Sequence, residues 1–260
     1  MARSLEGRTI LITRPRDQAG EMASLLEARG ARPILAPTIR IEPVRTPALR
    51  QALRQLAGGA FEWVTLSSRA TVEILATRLE PGDVRAKVAA VGEGTAETFR
   101  RWTGRRPDLV PATFTTESLS RAMPRGRGRI LCLRADVAPD GLEEALARKG
   151  WSAVRIDAYR TSMPRAIPAE ARRALRDGDV DAVTFTSGST VVGFAKAVGR
   201  LERVPKVVCI GPVTARSARA HGFRVDAVAR PHTIEGVVAA LERVLAGSTR
   251  GPRRRAKEIA

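Results

Sequence analysis

Five turns in this chain place small, hydroxyl-bearing or glycine residues between a short apolar run and an amphipathic segment. They are Thr13-Arg14, Ser67-Ser68-Arg69, Gly92-Glu-Gly-Thr95, Thr186-Ser-Gly-Ser-Thr190 and Gly211-Pro-Val-Thr214. Where a strand hands over to a helix, the first helical turn leaves backbone N–H groups without intrahelical partners, and the helix dipole presents its positive end. Side-chain hydroxyls add further donors, so such turns suit anions. Any one Ser or Thr there is most simply an N-cap that needs no ligand. Four such turns on matching edges of two similar halves favour a ligand instead.

What is missing narrows the chemistry. No G-x-x-x-x-G-K-[ST] motif is present, which excludes a P-loop, and Gly92-x-Gly94 lacks the third glycine of a dinucleotide fingerprint. His221 and His232 have no Cys or carboxylate at ligand spacing, so no metal site is expected. Gly-x-Ser-x-Gly is absent, so a hydrolase triad has no support. Cys132 and Cys209 lie inside apolar runs and read as packed core thiols. An enzyme made from these residues would act by binding, orienting and stabilising charge.

The elements that must position the turns come from a repeat. Gly7-Arg-Thr-Ile-Leu-Ile-Thr-Arg14 is echoed by Gly128-Arg-Ile-Leu-Cys-Leu-Arg134, Trp63-Val-Thr-Leu-Ser-Ser by Ala182-Val-Thr-Phe-Thr-Ser, Val88-Ala-Ala-Val-Gly by Val207-Val-Cys-Ile-Gly, and Thr115-Thr-Glu117 by Thr233-Ile-Glu235. The offsets are nearly constant: 120 from Ile10 to Ile130, 119 from Gly92 to Gly211, 118 from Glu117 to Glu235. Two homologous halves follow from that colinearity. Each unit reads as a strand, a turn and a helix. Strands are expected at Ile10–Ile12, Trp63–Leu66, Val88–Val91, Ile130–Leu133, Val154–Ile156, Ala182–Phe185 and Val207–Ile210. Helices are expected from Asp17 to Arg29 and from Pro139 to Lys149, each stopped by a left-handed glycine, Gly30 or Gly150.

Alternating strands and helices predict an α/β protein of two similar lobes, each a parallel sheet flanked by helices, flavodoxin-like and duplicated with swapped parts. Two segments, 39–45 and 157–165, alternate apolar with polar and predict a two-stranded linker joining the lobes. The expected organisation is 1–38 with 166–260 as one lobe, 46–156 as the other, and a basic disordered tail at 248–260. Thr95 and Thr214 are expected to open helices on walls facing one cleft.

Charge restricts the partners. The chain of 260 residues carries 45 Lys+Arg against 27 Asp+Glu, a net of +18. A positive surface attracts polyanions, whether nucleic acid or a small polycarboxylate. Aromatics are only 4%, with one Tyr, and neither a zinc-finger spacing nor a basic zipper is present, so a specific nucleic-acid role is not expected. The absence of an apolar run of about 18 residues argues against a membrane span. Two buried-type cysteines and no secretory leader point to a reduced cytoplasmic protein, expected to be a monomer.

From about Gly7 to Leu245 the chain resembles the uroporphyrinogen-III synthase family. The resemblance rests on Leu11-Ile-Thr-Arg-Pro15, Thr65-Leu-Ser-Ser-Arg-Ala70, Val91-Gly-x-Gly-Thr95, Tyr159-Arg-Thr161, Phe185-Thr-Ser-Gly-Ser189 and Ile210-Gly-Pro-Val-Thr-Ala215. It implies two α/β lobes and a cofactor-free cyclisation of hydroxymethylbilane, a linear polycarboxylate, in the cleft between them, with loss of water and inversion of ring D. It also implies a proton donor at Tyr159, whose alternative role is packing in the linker. Substrate-side positions implied in the same way are Ser67, Ser68, Arg69, Thr95, Thr186, Ser187 and Thr214, with Arg14 a further candidate. The halves differ at one of these turns, where Arg69 matches Gly188. A non-catalytic tetrapyrrole-binding or regulatory relative is the competing reading.

Overall fold

The computed structural model describes residues 4–199 and 201–246. The tail expected at 248–260 lies outside the described residues. The chain opens with β1 (Thr9–Ile12), α1 (Gly20–Glu27), β2 (Arg32–Leu35), β3 (Arg40–Pro43), α2 (Pro47–Ala57), β4 (Trp63–Leu66) and α3 (Arg69–Ala76). It continues with β5 (Lys87–Ala90), α4 (Glu93–Thr103), α5 (Thr116–Ala122), β6 (Arg129–Ala135), α6 (Leu142–Ala147) and β7 (Ser152–Ser162). It ends with α7 (Ala169–Arg176), β8 (Ala182–Phe185), α8 (Gly188–Val198), β9 (Lys206–Cys209), α9 (Pro212–Ala220), β10 (Ala227–Val228) and α10 (Ile234–Ala246).

These elements form two compact units, one from the residues up to Arg40 together with those from Met163 on, the other Ile41–Ser162. The first contains a five-stranded sheet in the order β10-β9-β8-β1-β2, parallel at every pairing. Renumbered within the unit, this is the flavodoxin-like order 2-1-3-4-5. The second contains the sheet β3-β7-β6-β4-β5. The repeat equates β6 with β1, β7 with β2, β4 with β8 and β5 with β9. The run β7-β6-β4-β5 therefore has the same parallel order, and a bridge from Ala89 to Leu109 stands where β10 meets β9. Each sheet thus takes two strands from one sequence repeat and the rest from the other. β3 is the addition, held on β7, where Val44 N–H also donates to the Ala158 carbonyl at 3.0 Å.

β1, β4 and β8 are buried along their whole length because both sheet faces are covered. Ile10 and Ile12 pack with Met22 and Leu26 of α1 and with α10, while Leu11 packs toward α7, α8 and α9. In the second unit Val64 and Leu66 meet α2, α3 and Phe99 of α4, and Trp63, Ile130 and Cys132 meet α5 and α6.

Three local expectations are corrected. The helix read from Asp17 is a short 3-10 turn at Arg16–Gln18 followed by α1, which starts only at Gly20. The helix read from Pro139 shrinks to α6, because Gly141, at φ +118°, delays its start. Gly30 and Gly150 do take left-handed conformations. Finally, the strand read as ending at Ile156 continues to Ser162, so part of the segment read as linker belongs to one unbroken β7.

Candidate active site

Tyr159 is brought to the carboxyl end of the second sheet by an irregularity in pairing. Simple alternation along β7 puts Val154, Ile156 and Ala158 on one face and Tyr159 on the other. Instead the β6–β7 register shifts: Arg134 pairs with Asp157 but Ala135 pairs with Tyr159, leaving Ala158 unopposed. Such a bulge re-aims the side chain that follows it. Ala158 and Tyr159 both pack into the cluster that contains Leu66, Leu133 and Phe99. The tyrosine is 7% exposed, and its hydroxyl donates to Ser68 Oγ at 3.0 Å. Burial pushes the phenol pKa above its usual value. The Ser68 hydrogen bond and the Arg134 charge oppose that rise, and Asp136 adds to it. The phenol is therefore protonated at neutral pH, as a proton donor must be.

Ser68 is the N-cap of α3 in a capping box. Its Oγ accepts from Thr71 N–H at 3.3 Å, and Thr71 Oγ1 in turn donates to the Ser68 carbonyl at 2.6 Å. Ser67 Oγ donates to the Leu133 carbonyl at 3.1 Å, tying the β4 turn to β6. Arg69 opens α3 and lies against Gly94 in the first turn of α4; a Cβ at Gly94 would stand 3.0 Å from Arg69 Nε and Nη2. The next residue, Thr95, is 7% exposed, and its hydroxyl makes no hydrogen bond within the described chain. The structure thus gathers Ser67, Ser68, Arg69, Thr95 and Tyr159 at one end of one sheet.

The other unit repeats the arrangement. Ser187 caps α8 in a capping box with Thr190, and Thr186 precedes it, half-buried. Ser217 Oγ of α9 donates to the Gly188 carbonyl at 3.5 Å, joining the α8 and α9 turns. Thr214, in the first turn of α9, is 5% exposed and, like Thr95, has no side-chain hydrogen bond within the described chain. Arg14 follows β1 at 3% exposure, beside Thr13, whose Oγ1 donates to the Thr184 carbonyl at 2.7 Å.

Arg134 was not among the residues singled out from the sequence. It is 1% exposed; Nη1 donates to Glu143 Oε1 at 2.8 Å and Nη2 to the Pro139 carbonyl at 3.0 Å. It is the repeat partner of Arg14, so the signal was present in the echo of the two strands. Cys132 and Cys209 are buried thiols pushed up to about 12, which keeps them protonated and non-nucleophilic. His221 and His232 use Nδ1 on the backbone carbonyls of Ser217 and Ala229. Among the described residues no three His, Cys, Asp or Glu cluster as metal ligands, and no helix is long and apolar enough to cross a membrane.

A family model described as "Uroporphyrinogen-III synthase HemD" matches residues 20–239. The chain belongs to the uroporphyrinogen-III synthase family. The activity named for its relatives is that of a cyclising lyase of porphyrin biosynthesis. The uroporphyrinogen-III synthase of Synechococcus elongatus is 31% identical over 256 residues, covering 92% of this chain and 96% of its own. A putative uroporphyrinogen-III synthase of Methanothermobacter thermautotrophicus is 35% identical over 254 residues, covering 88% and 96%. Among solved structures, a mutant uroporphyrinogen-III synthase of Thermus thermophilus superposes with a TM-score of 0.65 at 23% identity, covering 93% of this chain and 100% of that one. The Helicobacter pylori uroporphyrinogen-III synthetase gives 0.60 at 16%, covering 91% and 99%. These two share the fold.

Proposed function

We propose that this chain cyclises hydroxymethylbilane to uroporphyrinogen III, with Tyr159 as the proton donor. The observation that carries the assignment of Tyr159 is the bulge that turns the chain's only phenol onto Ser68, at the helix start where an anionic substrate would dock. Substrate carboxylates are held by Arg14 and Arg69, by the hydroxyls of Thr95, Thr186 and Thr214, and by the helix starts that Ser67, Ser68 and Ser187 organise. A net charge of +18 favours such a polycarboxylate at long range.

In this mechanism Tyr159 gives its proton to the terminal hydroxyl of the substrate. The carbon–oxygen bond breaks, water leaves, and the pyrrole nitrogen's electrons form an azafulvene. A substituted carbon of ring D attacks that electrophile to give a spiro intermediate, which reopens and recloses with ring D inverted; the hydrogen on the ring D carbon that forms the final bond leaves as a proton and restores the Tyr159 phenol. The substrate supplies the electrons; the protein supplies one proton, orientation and fixed positive charge. The enzyme acts as a monomer in the cytoplasm without metal or cofactor, and nucleic acid is not its substrate. The test is a coupled assay on enzymatically made hydroxymethylbilane that separates isomer III from the isomer I formed spontaneously. Isomer III at rates above the enzyme-free control is expected. Isomer I alone would overturn the reading in favour of a non-catalytic tetrapyrrole-binding relative.

A further inference from the structure

The two units differ at one pair of positions in a complementary way. At an offset of 119, Arg69 corresponds to Gly188 and Gly94 to Val213. Arg69 and Gly188 open α3 and α8, while Gly94 and Val213 are the second residues of α4 and α9. In one unit the large side chain stands on the first helix of the pair and the small one on the second. In the other unit the two are exchanged.

The contact geometry explains the exchange. A Cβ on Gly94 would stand 3.0 Å from Arg69 Nε and Nη2 and 3.4 Å from Cζ, so a side chain there would make the guanidinium shift from its place across the start of α4. In the other unit Gly188 has no guanidinium to place, and Val213 stands 42% exposed at the start of α9. Beside each position is a threonine, Thr95 or Thr214, buried at least nine-tenths, with a hydroxyl that has no partner within the described chain. Both helix starts therefore have an unused donor. One adds a positive charge to it and the other an apolar surface.

We propose that Gly94 is a positioning residue that lets Arg69 lie across the start of α4, and that Val213 is its apolar counterpart. Beside the hydroxyl donors of each unit, Arg69 then adds charge for a substrate carboxylate, and Val213 adds an apolar surface for the face of a pyrrole ring. This reading rests on the proposed function and extends it, because it separates the charged contacts of the substrate from the apolar ones.

A double-mutant cycle tests it, with isomer III kinetics and thermal unfolding measured on Arg69→Ala, Gly94→Val and the double variant. Valine at position 94 copies what the other unit carries, so the fold is expected to accept it. Losing one charge-assisted hydrogen bond predicts a KM about tenfold higher in each single variant, with kcat little changed. The double variant is expected to match Arg69→Ala alone, since the glycine acts only through the arginine. Gly94→Ala asks Arg69 for a smaller shift and gives a smaller rise in KM should valine disturb folding. Val213→Thr keeps the shape, makes the surface polar and is expected to raise KM about threefold. If Arg69→Ala raises KM and Gly94→Val does not, or if their effects add, Gly94 has no positioning role. An unchanged KM in Val213→Thr removes the apolar half. An unchanged KM in Arg69→Ala strikes the carboxylate-binding reading itself, a result distinguishable from the others.

Discussion

Replacing Tyr159 with Phe removes one oxygen atom and leaves the ring in its packing. The structure limits what that can cost in stability. The hydroxyl makes one hydrogen bond, to Ser68 Oγ, worth about 1 kcal/mol. Ser68 still accepts from Thr71 N–H, so α3 remains capped. A protein of this size should melt only about 2–4 °C lower. The effect on chemistry is larger: a positioned general acid contributes about 10- to 100-fold here, because water or the substrate's own carboxylic acids can replace it in part. The pH profile carries the sign. Burial raises the phenol above its usual value, so it stays protonated through the neutral range, and any loss of activity through its ionisation begins only above about pH 10. That alkaline limb should vanish in Tyr159→Phe. Because the chain has one tyrosine, phenolate absorbance reports on this residue alone, and the folded protein should titrate at higher pH than the denatured one. Isomer III rate, thermal unfolding and this titration decide together. An unchanged rate with normal unfolding would make Tyr159 a packing residue and leave catalysis to orientation alone.

Thr95→Ala and Thr214→Ala should each raise KM by about fivefold, ~1 kcal/mol, without loss of stability, whereas Ser187→Ala should cost about 1 kcal/mol of stability in urea unfolding as an N-cap. A Thr214→Ala enzyme that melts early but binds normally would reverse that assignment. Arg134→Met leaves the partly buried Glu143 carboxylate without its partner and should destabilise by about 1.5–3 kcal/mol, with Arg134→Met/Glu143→Leu recovering most of it; equal losses in the two would refute the ion-pair explanation. The Cys132 and Cys209 thiols rise from 9 to about 12 on folding, so the folded state keeps protons that the unfolded state releases. Their contribution is complete below pH 9 and is lost as pH rises toward 12, so the urea midpoint should fall across that window and fall less in Cys132→Ala. A midpoint independent of pH there would contradict the buried-thiol account.

The fold was largely legible because its strands are short apolar runs and because each run recurs about 119 residues later. β1, β4 and β8 needed no tertiary information, and their carboxyl-end turns followed from them. The bulge in β7 was not legible. Residues 156–162 alternate, and alternation alone sends Tyr159 to the face opposite Ala158; the register shift depends on how β6 pairs with β7, which no local pattern encodes. The helices begin at Gly20 and Leu142, later than apolar spacing predicts, because the backbone cannot start a helix near Pro15 or at Gly141.

The division of labour among the turn hydroxyls follows from a difference that the sequence already contains. α3, α4, α8 and α9 all have threonine three residues after the cap: Thr71, Thr95, Thr190 and Thr214. Ahead of Thr71 and Thr190 the cap is serine, and each Ser–Thr pair satisfies itself: the serine oxygen takes the threonine N–H, and the threonine hydroxyl donates back to the serine carbonyl. Ahead of Thr95 and Thr214 the cap is glycine, Gly92 or Gly211, which has no side chain to take part in such an exchange. The backbone still closes the first turn, through Thr95 N–H to the Gly92 carbonyl and Ala215 N–H to the Gly211 carbonyl, but the two hydroxyls are left over. Neither oxygen is among the fully buried side-chain atoms without a partner, so both hydroxyls reach solvent, where water or a ligand can complete them. On the proposed function, a serine cap marks a turn that supports the site, and a glycine cap marks one that keeps a donor for the substrate. Gly92→Ser and Gly211→Ser, which recreate the self-satisfied pair, should stabilise α4 and α9 while weakening substrate binding; a gain in stability with KM unchanged would show that those hydroxyls are not reserved for substrate.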